Sequence, residues 1–147
     1  RIAIKLRKNL LAAAFLIAES HALADPASEA KDSYTVEIAS ETTREAKVGE
    51  KGKVVVHIRP KEKIHVHPQA PLKIKAQASN DALTLEKTEL GRNDAIDPKS
   101  DAPKFAIPFT ATKAGKADVK ADLDFFICSD TWCVKQIRSL TIPVSIK

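Results

Sequence analysis

The stretch that decides the fold runs Val119-Lys120-Ala121-Asp122-Leu123-Asp124-Phe125-Phe126-Ile127-Cys128. Apolar residues occupy every odd-numbered position from Val119 to Ile127, and the even-numbered positions before Phe126 are charged. Successive side chains of a β-strand point to opposite faces of its sheet, so a period of two predicts a strand with one buried face. The odd-numbered residues are expected to form that face.

The same alternation recurs along most of the chain, whereas helical periodicity is almost absent. It is found in seven further short segments, at Tyr34–Ile38, Val54–Ile58, Ile64–Val66, Leu72–Ala76, Leu83–Leu85, Phe105–Phe109 and Leu140–Ile146. Because each segment has only one apolar face, two sheets must bury those faces against each other. The sequence therefore predicts an all-β fold, an immunoglobulin-like antiparallel β-sandwich of about eight strands over residues 34–147. The longest irregular stretch, Leu90–Pro103, is expected to be a functional or mobile loop.

The first 24 residues are typical of a secretory signal peptide. Four basic residues precede the apolar stretch Leu10–Ala18, and Ala22-Leu23-Ala24 supplies small residues at a cleavage point. The apolar stretch is about half the ~20 residues that a membrane-spanning helix needs. We expect the mature protein to begin at Asp25, with residues 25–33 as a polar linker before the sandwich domain. The protein is then periplasmic or otherwise extracytoplasmic.

Charge argues against binding to nucleic acid. The whole chain has a formal net charge of +5, but the predicted signal peptide contains four basic residues and one acidic residue, so its removal lowers the charge to +2. No cluster of aromatic and basic residues remains that would mark a nucleic-acid surface. Export also places the cysteines in an oxidising compartment, where a disulfide persists unless it is actively reduced.

The only two cysteines, Cys128 and Cys133, are separated by four residues. Cys128 lies on the even-numbered face of its strand, and Cys133 lies opposite the even-numbered apolar face of Leu140–Ile146. Both sulfurs are therefore expected to point away from the core, at the two ends of a hairpin loop where cross-strand distances suit a disulfide. A β-bulge at Ile137 or Arg138, where the alternation is interrupted, would move Cys133 to the opposite face of its strand.

Such a disulfide can be a structural staple or a redox reagent, and the sequence is compatible with both. Closing so short a loop stabilises a fold by about 2 kcal/mol, whereas a loop of ~100 residues gives nearer 5 kcal/mol. The only tryptophan, Trp132, adjoins Cys133. It is interpreted as a shield over the sulfur, as a contact for a partner, or as a cover for one edge of the sandwich.

Histidines suggest a second kind of site. His65 and His67 share one face of a short predicted strand, and His57 has the same outward parity on another strand. Together with two thiols, they could bind Cu(I) or Zn²⁺ in a metal-binding module. The third hypothesis is a non-catalytic interaction domain in which the disulfide is structural.

From Tyr34 to Lys147 the chain resembles the N-terminal periplasmic domain of the DsbD-type thiol:disulfide interchange proteins. The resemblance depends on three motifs in order: Lys63-Ile64-His65-Val66-His67, then Lys104-Phe105-Ala106-Ile107-Pro108-Phe109, and then Phe125-Phe126-Ile127-Cys128 continuing to Cys133. It implies an immunoglobulin-like sandwich that carries a redox-active cysteine pair on a hairpin.

The resemblance also implies roles for the two cysteines. Cys133 corresponds to the cysteine that forms mixed disulfides with partners, and Cys128 to the one that resolves them. The expected partners are a thioredoxin-like redox protein and a separate membrane electron-transfer protein, with this chain acting as a monomer and needing no metal or other cofactor. We expect Trp132, His65, His67 and Phe126 to contact the partner or to shield the disulfide.

Overall fold

A computed structural model of the protein describes residues 25–147; the predicted signal peptide lies outside these residues. The chain forms a sandwich of two β-sheets, which confirms the predicted fold class. The strands are β1 Tyr34–Ile38, β2 Glu45–Ala46, β3 Lys51–Pro60, β4 His65–Val66, β5 Lys73–Ala78, β6 Leu83–Leu85, β7 Glu89–Gly91, β8 Lys104–Ala111, β9 Gly115–Cys128 and β10 Cys133–Ile146. Sheet A has the strand order β1-β3-β8-β6, and sheet B has the order β2-β10-β9-β5-β7, with β4 also paired to β9.

The core lies between the sheets and consists mainly of the alternating apolar residues that the sequence pattern predicted. Its largest fully buried side chains include Phe105 and Phe109 of sheet A and Phe125 of sheet B. The ring of Tyr34 on β1 meets the ring of Phe125 edge-on, with 5.3 Å between their centroids. The two sheets are thus in direct aromatic contact, an arrangement that adds to the free energy gained from apolar burial.

Two of the strands within residues 25–147 were not predicted, and one strand pair differs in direction. β2 and β7 have only two and three residues, and each buries a single apolar side chain, Ala46 or Leu90. So short a strand has no measurable period. The β2–β10 pair is parallel, whereas the other strand pairs described are antiparallel.

The segment that was expected to be a polar linker contains a helix, α1, at Pro26–Asp32. Asp25 caps its N-terminus, where its side chain accepts a hydrogen bond from the Ala27 amide, and Pro26 stands in the first turn, where its missing N–H is not needed. Ala30 is its only buried residue. α1 packs against β10 and β1 and so covers one edge of the sandwich. No helix within residues 25–147 is long and apolar enough to span a membrane.

The β9–β10 ladder runs without a bulge from the pair Gly115–Ile146 to the pair Cys128–Cys133. Gln136 and Arg138 interrupt the apolar pattern on the core-facing side of β10, but both have polar partners near α1. The Tyr34 hydroxyl donates to Gln136 Oε1 at 2.8 Å, and Arg138 lies over the Tyr34 ring while donating to the Lys31 carbonyl. The interruption therefore marks the helix contact rather than a shift in register.

We predict that two adjacent phenylalanines on β9 differ strongly in their contribution to stability. Phe125→Ala should lower the free energy of unfolding by about 3–5 kcal/mol, because it removes a fully buried ring from the core. Phe126→Ala, on the opposite face, should cost only about 1 kcal/mol. Denaturant-induced unfolding of both variants measures the difference. Equal losses would contradict the assignment of the two faces of β9.

Candidate functional site

The disulfide closes the end of the β9–β10 ladder. Cys128 is the last residue of β9 and Cys133 the first of β10; they lie directly opposite each other, with their Cα atoms 4.1 Å apart and their sulfurs bonded. The Ser129 amide donates to the Trp132 carbonyl at 2.9 Å, while the Ser129 hydroxyl accepts from the amides of Thr131 and Trp132. The turn between the cysteines is thus held by hydrogen bonds as well as by the disulfide.

The two cysteines differ in exposure. The register confirms that both lie on the outer face of sheet B, as predicted from their parity. Yet Cys128 is only 1% exposed, whereas Cys133 is exposed. Cys128 has a strand on each side, β10 and β4. Cys133 begins a strand that, among residues 25–147, has no strand paired to its other side at that position. A reagent from solution therefore meets the Cys133 end of the disulfide.

Three predicted site residues come together on this outer face. β4 pairs with β9 so that His65 is directly opposite Cys128. The His67 amide donates to the Phe126 carbonyl at 2.9 Å, which extends the pairing by one residue. Residues directly opposite each other in antiparallel strands direct their side chains to the same face. One row across the sheet therefore holds His65, Cys128 and Cys133.

The neighbouring row holds His67, Phe126 and Lys135. His67 and Phe126 are half-buried. Nδ1 of His67 accepts hydrogen bonds from the amides of Gln69 and Ala70, at 3.0 and 2.8 Å. That nitrogen is thereby occupied within its own turn.

Charged side chains near the disulfide are exposed and only loosely paired. Lys135 Nζ lies 3.4 Å from Asp124 Oδ2, and both side chains are about half exposed. Exposed ion pairs of this kind contribute little to stability. Asp130, in the turn between the cysteines, is also exposed. All three charged groups are therefore open to screening by solvent and salt.

Arg92 is a contributor to the site that was not predicted. It lies in a short 3-10 helix, Arg92–Asp94, within the stretch Leu90–Pro103 that was expected to be irregular. Its guanidinium donates to the carbonyls of Val66, His67 and Pro68 and so fastens β4 and the turn that follows it. Burial lowers the pKa of Arg92, an effect that nearby Asp101 opposes. A single arginine in a polar loop gives no local sequence signal for this role.

Trp132 does not lie with the other site residues. It has the parity of Val134 and Gln136, opposite to that of Cys133, and it packs against the core. Its indole Nε1 donates to Glu29 Oε2 of α1 at 2.9 Å. Of the roles considered from sequence, the structure favours a cover for one edge of the sandwich over a shield above the sulfur.

His57 is separated from the other histidines. It belongs to β3 of sheet A, whereas His65 and His67 adjoin sheet B. Parity alone could not distinguish these positions, because it gives the face of a strand but not the sheet to which the strand belongs. Within residues 25–147 no group of three or more His, Cys, Asp or Glu side chains is arranged to hold a metal ion.

No known protein-family model and no characterised protein sequence matches the chain. Among solved structures, it is similar to native alpha-2-macroglobulin from Escherichia coli (domain MG7 to the C-terminus), with a TM-score of 0.48, 14% identity, and coverage of 78% of this chain and 17% of that one. A cohesin module from a Clostridium perfringens family 33 glycoside hydrolase gives a TM-score of 0.43 and 10% identity, covering 78% of this chain and 98% of that one. Domains 4 and 5 of the S-layer protein SbsC give 0.39 and 12%, covering 77% and 53%. These likenesses concern the fold alone, and the resemblance to DsbD-type domains stays a prediction.

We predict that Trp132→Phe loosens α1 while leaving the ladder intact. Phenylalanine keeps an aromatic ring against the core but cannot donate to Glu29, so the free energy of unfolding should fall by about 1 kcal/mol. Hydrogen exchange should accelerate at the amides of α1 and stay unchanged in the centre of β9. Faster exchange throughout β9 would contradict this local role.

We also predict that His57 makes the free energy of unfolding depend on pH. Burial, together with the charge of Lys104, lowers the pKa of His57 in the folded protein. The unfolded chain then binds more protons just below its ordinary pKa of about 6.5, so stability rises with pH across that window and is lost as pH falls through it. His57→Gln should flatten this part of the profile. Unfolding free energies measured between about pH 5 and about pH 8 test it; an unchanged slope would contradict the assignment.

Proposed function

We propose that this chain is an exported thiol–disulfide exchange domain that passes reducing equivalents to envelope partners through the Cys128–Cys133 couple. The observation that carries the proposal is the unequal exposure of the two cysteines on one outer face. Exchange begins with a thiolate that approaches one sulfur in line with the bond, so access to one sulfur is sufficient. Cys133 offers that access, and Cys128 does not.

The electrons balance if the partner is a dithiol of thioredoxin type. Its thiolate attacks Cys133 Sγ, a mixed disulfide forms, and the bond to Cys128 breaks with its electron pair on the Cys128 sulfur. The second thiol of the partner then displaces Cys133 from the mixed disulfide, which leaves this domain reduced and the partner oxidised. When the reduced domain meets an oxidised protein, Cys133 attacks and Cys128 resolves the mixed disulfide. Each step uses only thiols and disulfides.

The small contribution of this bond to folding supports a role as a reagent. A disulfide with a sequence separation of 5 stabilises the fold by about 2 kcal/mol at most. The ladder and the hydrogen bonds of Ser129 already hold the two strands together at this point. Reduction can therefore occur with the domain still folded, as a protein that cycles between two redox states requires.

The proposed cellular setting follows from the same chemistry. A reversible disulfide needs a compartment that is oxidising and a partner that supplies reductant. A periplasmic location, a thioredoxin-like partner and a separate membrane electron-transfer protein together meet this need. The half-buried outer-face residues His65, His67 and Phe126 lie in the row of the disulfide and the row next to it, and are proposed as part of the surface that the partner contacts.

The proposal predicts a reduction potential in the range of exchange proteins, above about −300 mV. Redox equilibration of the folded domain against glutathione or dithiothreitol, read out by thiol alkylation and mass spectrometry, measures it. A disulfide that is reduced only after the domain unfolds would favour the structural interpretation.

Trapping tests the assignment of the two cysteines within the same prediction. Cys128→Ala leaves Cys133 free and should accumulate a mixed disulfide with a thioredoxin-like protein. Cys133→Ala is the matched control: its remaining thiol is buried, so it should trap far less. Equal trapping by both variants would contradict the proposed point of attack.

A further inference from the structure

The burial of Cys128 creates a chemical problem for the exchange just described. When a thiolate attacks Cys133, the leaving group is the Cys128 sulfur, and that residue is only 1% exposed. Burial disfavours a charged thiolate and raises the pKa of the thiol. A thiol with a raised pKa is a poorer leaving group. The reaction therefore needs a proton or a positive charge beside Cys128.

One side chain is placed to supply it. His65 is directly opposite Cys128 in the β4–β9 pair and on the same face. Side chains in such a pair have Cβ atoms about 4.5–5.5 Å apart, which allows an imidazole nitrogen to reach the sulfur. The Arg92 hydrogen bonds to the carbonyls that follow fix the position of this short strand. Histidine is also the side chain that gains and loses a proton near neutral pH.

We infer that His65 is the proton donor to the Cys128 sulfur during reduction of the disulfide, an inference that rests on the proposed function. The incoming thiolate forms a bond to Cys133 Sγ, and the bond between the two cysteines breaks with its electrons on Cys128 Sγ. The His65 imidazolium transfers its proton to that sulfur, which gives a neutral thiol and a neutral imidazole. Water returns the proton to the imidazole. In the reverse direction neutral His65 removes the proton from Cys128.

Other ionisable groups on the surrounding elements bear on the pH dependence. They are His67 on the segment that follows β4, Lys135 and Asp124 as a pair on β10 and β9, Asp130 in the hairpin turn, and Arg92 and Asp101 in the segment that flanks β4. Lys135 is paired with Asp124, Nδ1 of His67 is occupied by two backbone amides, and Arg92 donates to carbonyls. His65 is the ionisable side chain that the register places opposite the buried sulfur.

The test measures the rate at which dithiothreitol reduces the folded, oxidised domain as a function of pH, with the rate expressed per thiolate. His65→Gln should slow reduction by about a hundredfold near neutral pH, the lower end of what general acid catalysis contributes. In the unmodified protein the rate per thiolate should fall as pH rises, as a reaction that needs a general acid does; in His65→Gln it should be low and nearly independent of pH.

His57→Gln is the matched control, because it makes the same substitution on sheet A, whereas the disulfide belongs to sheet B. It should reduce at the rate of the unmodified protein and with the same pH profile. Unfolding measurements on both oxidised variants establish that each is folded under the conditions of the assay.

A second measurement does not depend on reduction. When the reduced domain is mixed with oxidised glutathione, Cys133 takes up glutathione and Cys128 then displaces it. His65→Gln should slow this release of glutathione, since the group that protonates the Cys128 sulfur in one direction removes its proton in the other; His57→Gln should leave the rate of release unchanged.

The outcomes separate this inference from the proposed function. If dithiothreitol cannot reduce the folded protein at all, the proposed function fails and this inference fails with it. If the folded protein is reduced readily but His65→Gln changes neither the rate of reduction, its pH profile nor the rate of glutathione release, exchange stands and His65 is not the proton donor. A slower, pH-independent reduction together with a slower release of glutathione supports the inference.

Discussion

The unbroken ladder between β9 and β10 is the constraint on which the rest of the structure depends. Its register sets which side chains of both strands enter the core and which remain outside. Because no bulge interrupts it, the parity established by Phe125 in the core carries through to Cys128 and Cys133 at its end. β4 and β5 then pair with the free side of β9, so the histidine segment takes its position from the same strand.

Local pattern was sufficient where a strand is long and one face is buried. The faces of β9 and β10, the outward parity of both cysteines and the two-sheet arrangement could all be predicted in this way. The alternation of apolar residues did not predict features that depend on contacts between segments far apart in sequence. Cys128 points outward yet is buried, because β4 lies beside it, and His57 lies in the other sheet. α1 has seven residues and buries only Ala30, too little for a helical period to emerge.

In the candidate site, too, residues whose position follows from strand parity were identified from the sequence, and residues placed by other contacts were not. His65, His67 and Phe126 were identified because outward parity and a motif placed them near the cysteines. Trp132 was interpreted from its neighbour in sequence, but successive residues of an extended chain point to opposite faces, so adjacency to Cys133 directs its ring to the other side. Arg92 acts through hydrogen bonds to backbone carbonyls. Every residue has such a carbonyl, so the residue types that accept these bonds give no signal in the sequence.

The short connection between the cysteines also bears on the order of events during folding. Strands β9 and β10 are adjacent in sequence, so their hairpin can form by local contacts on a microsecond scale. Sheet A, by contrast, must pair β3 with β8, residues 51–60 with residues 104–111, and closing such loops is slower. The two thiols can therefore stand opposite each other before the sandwich is complete. An oxidant acting on the nascent chain would meet a preformed pair, and with no other cysteine in the sequence it could make no mispaired intramolecular bond.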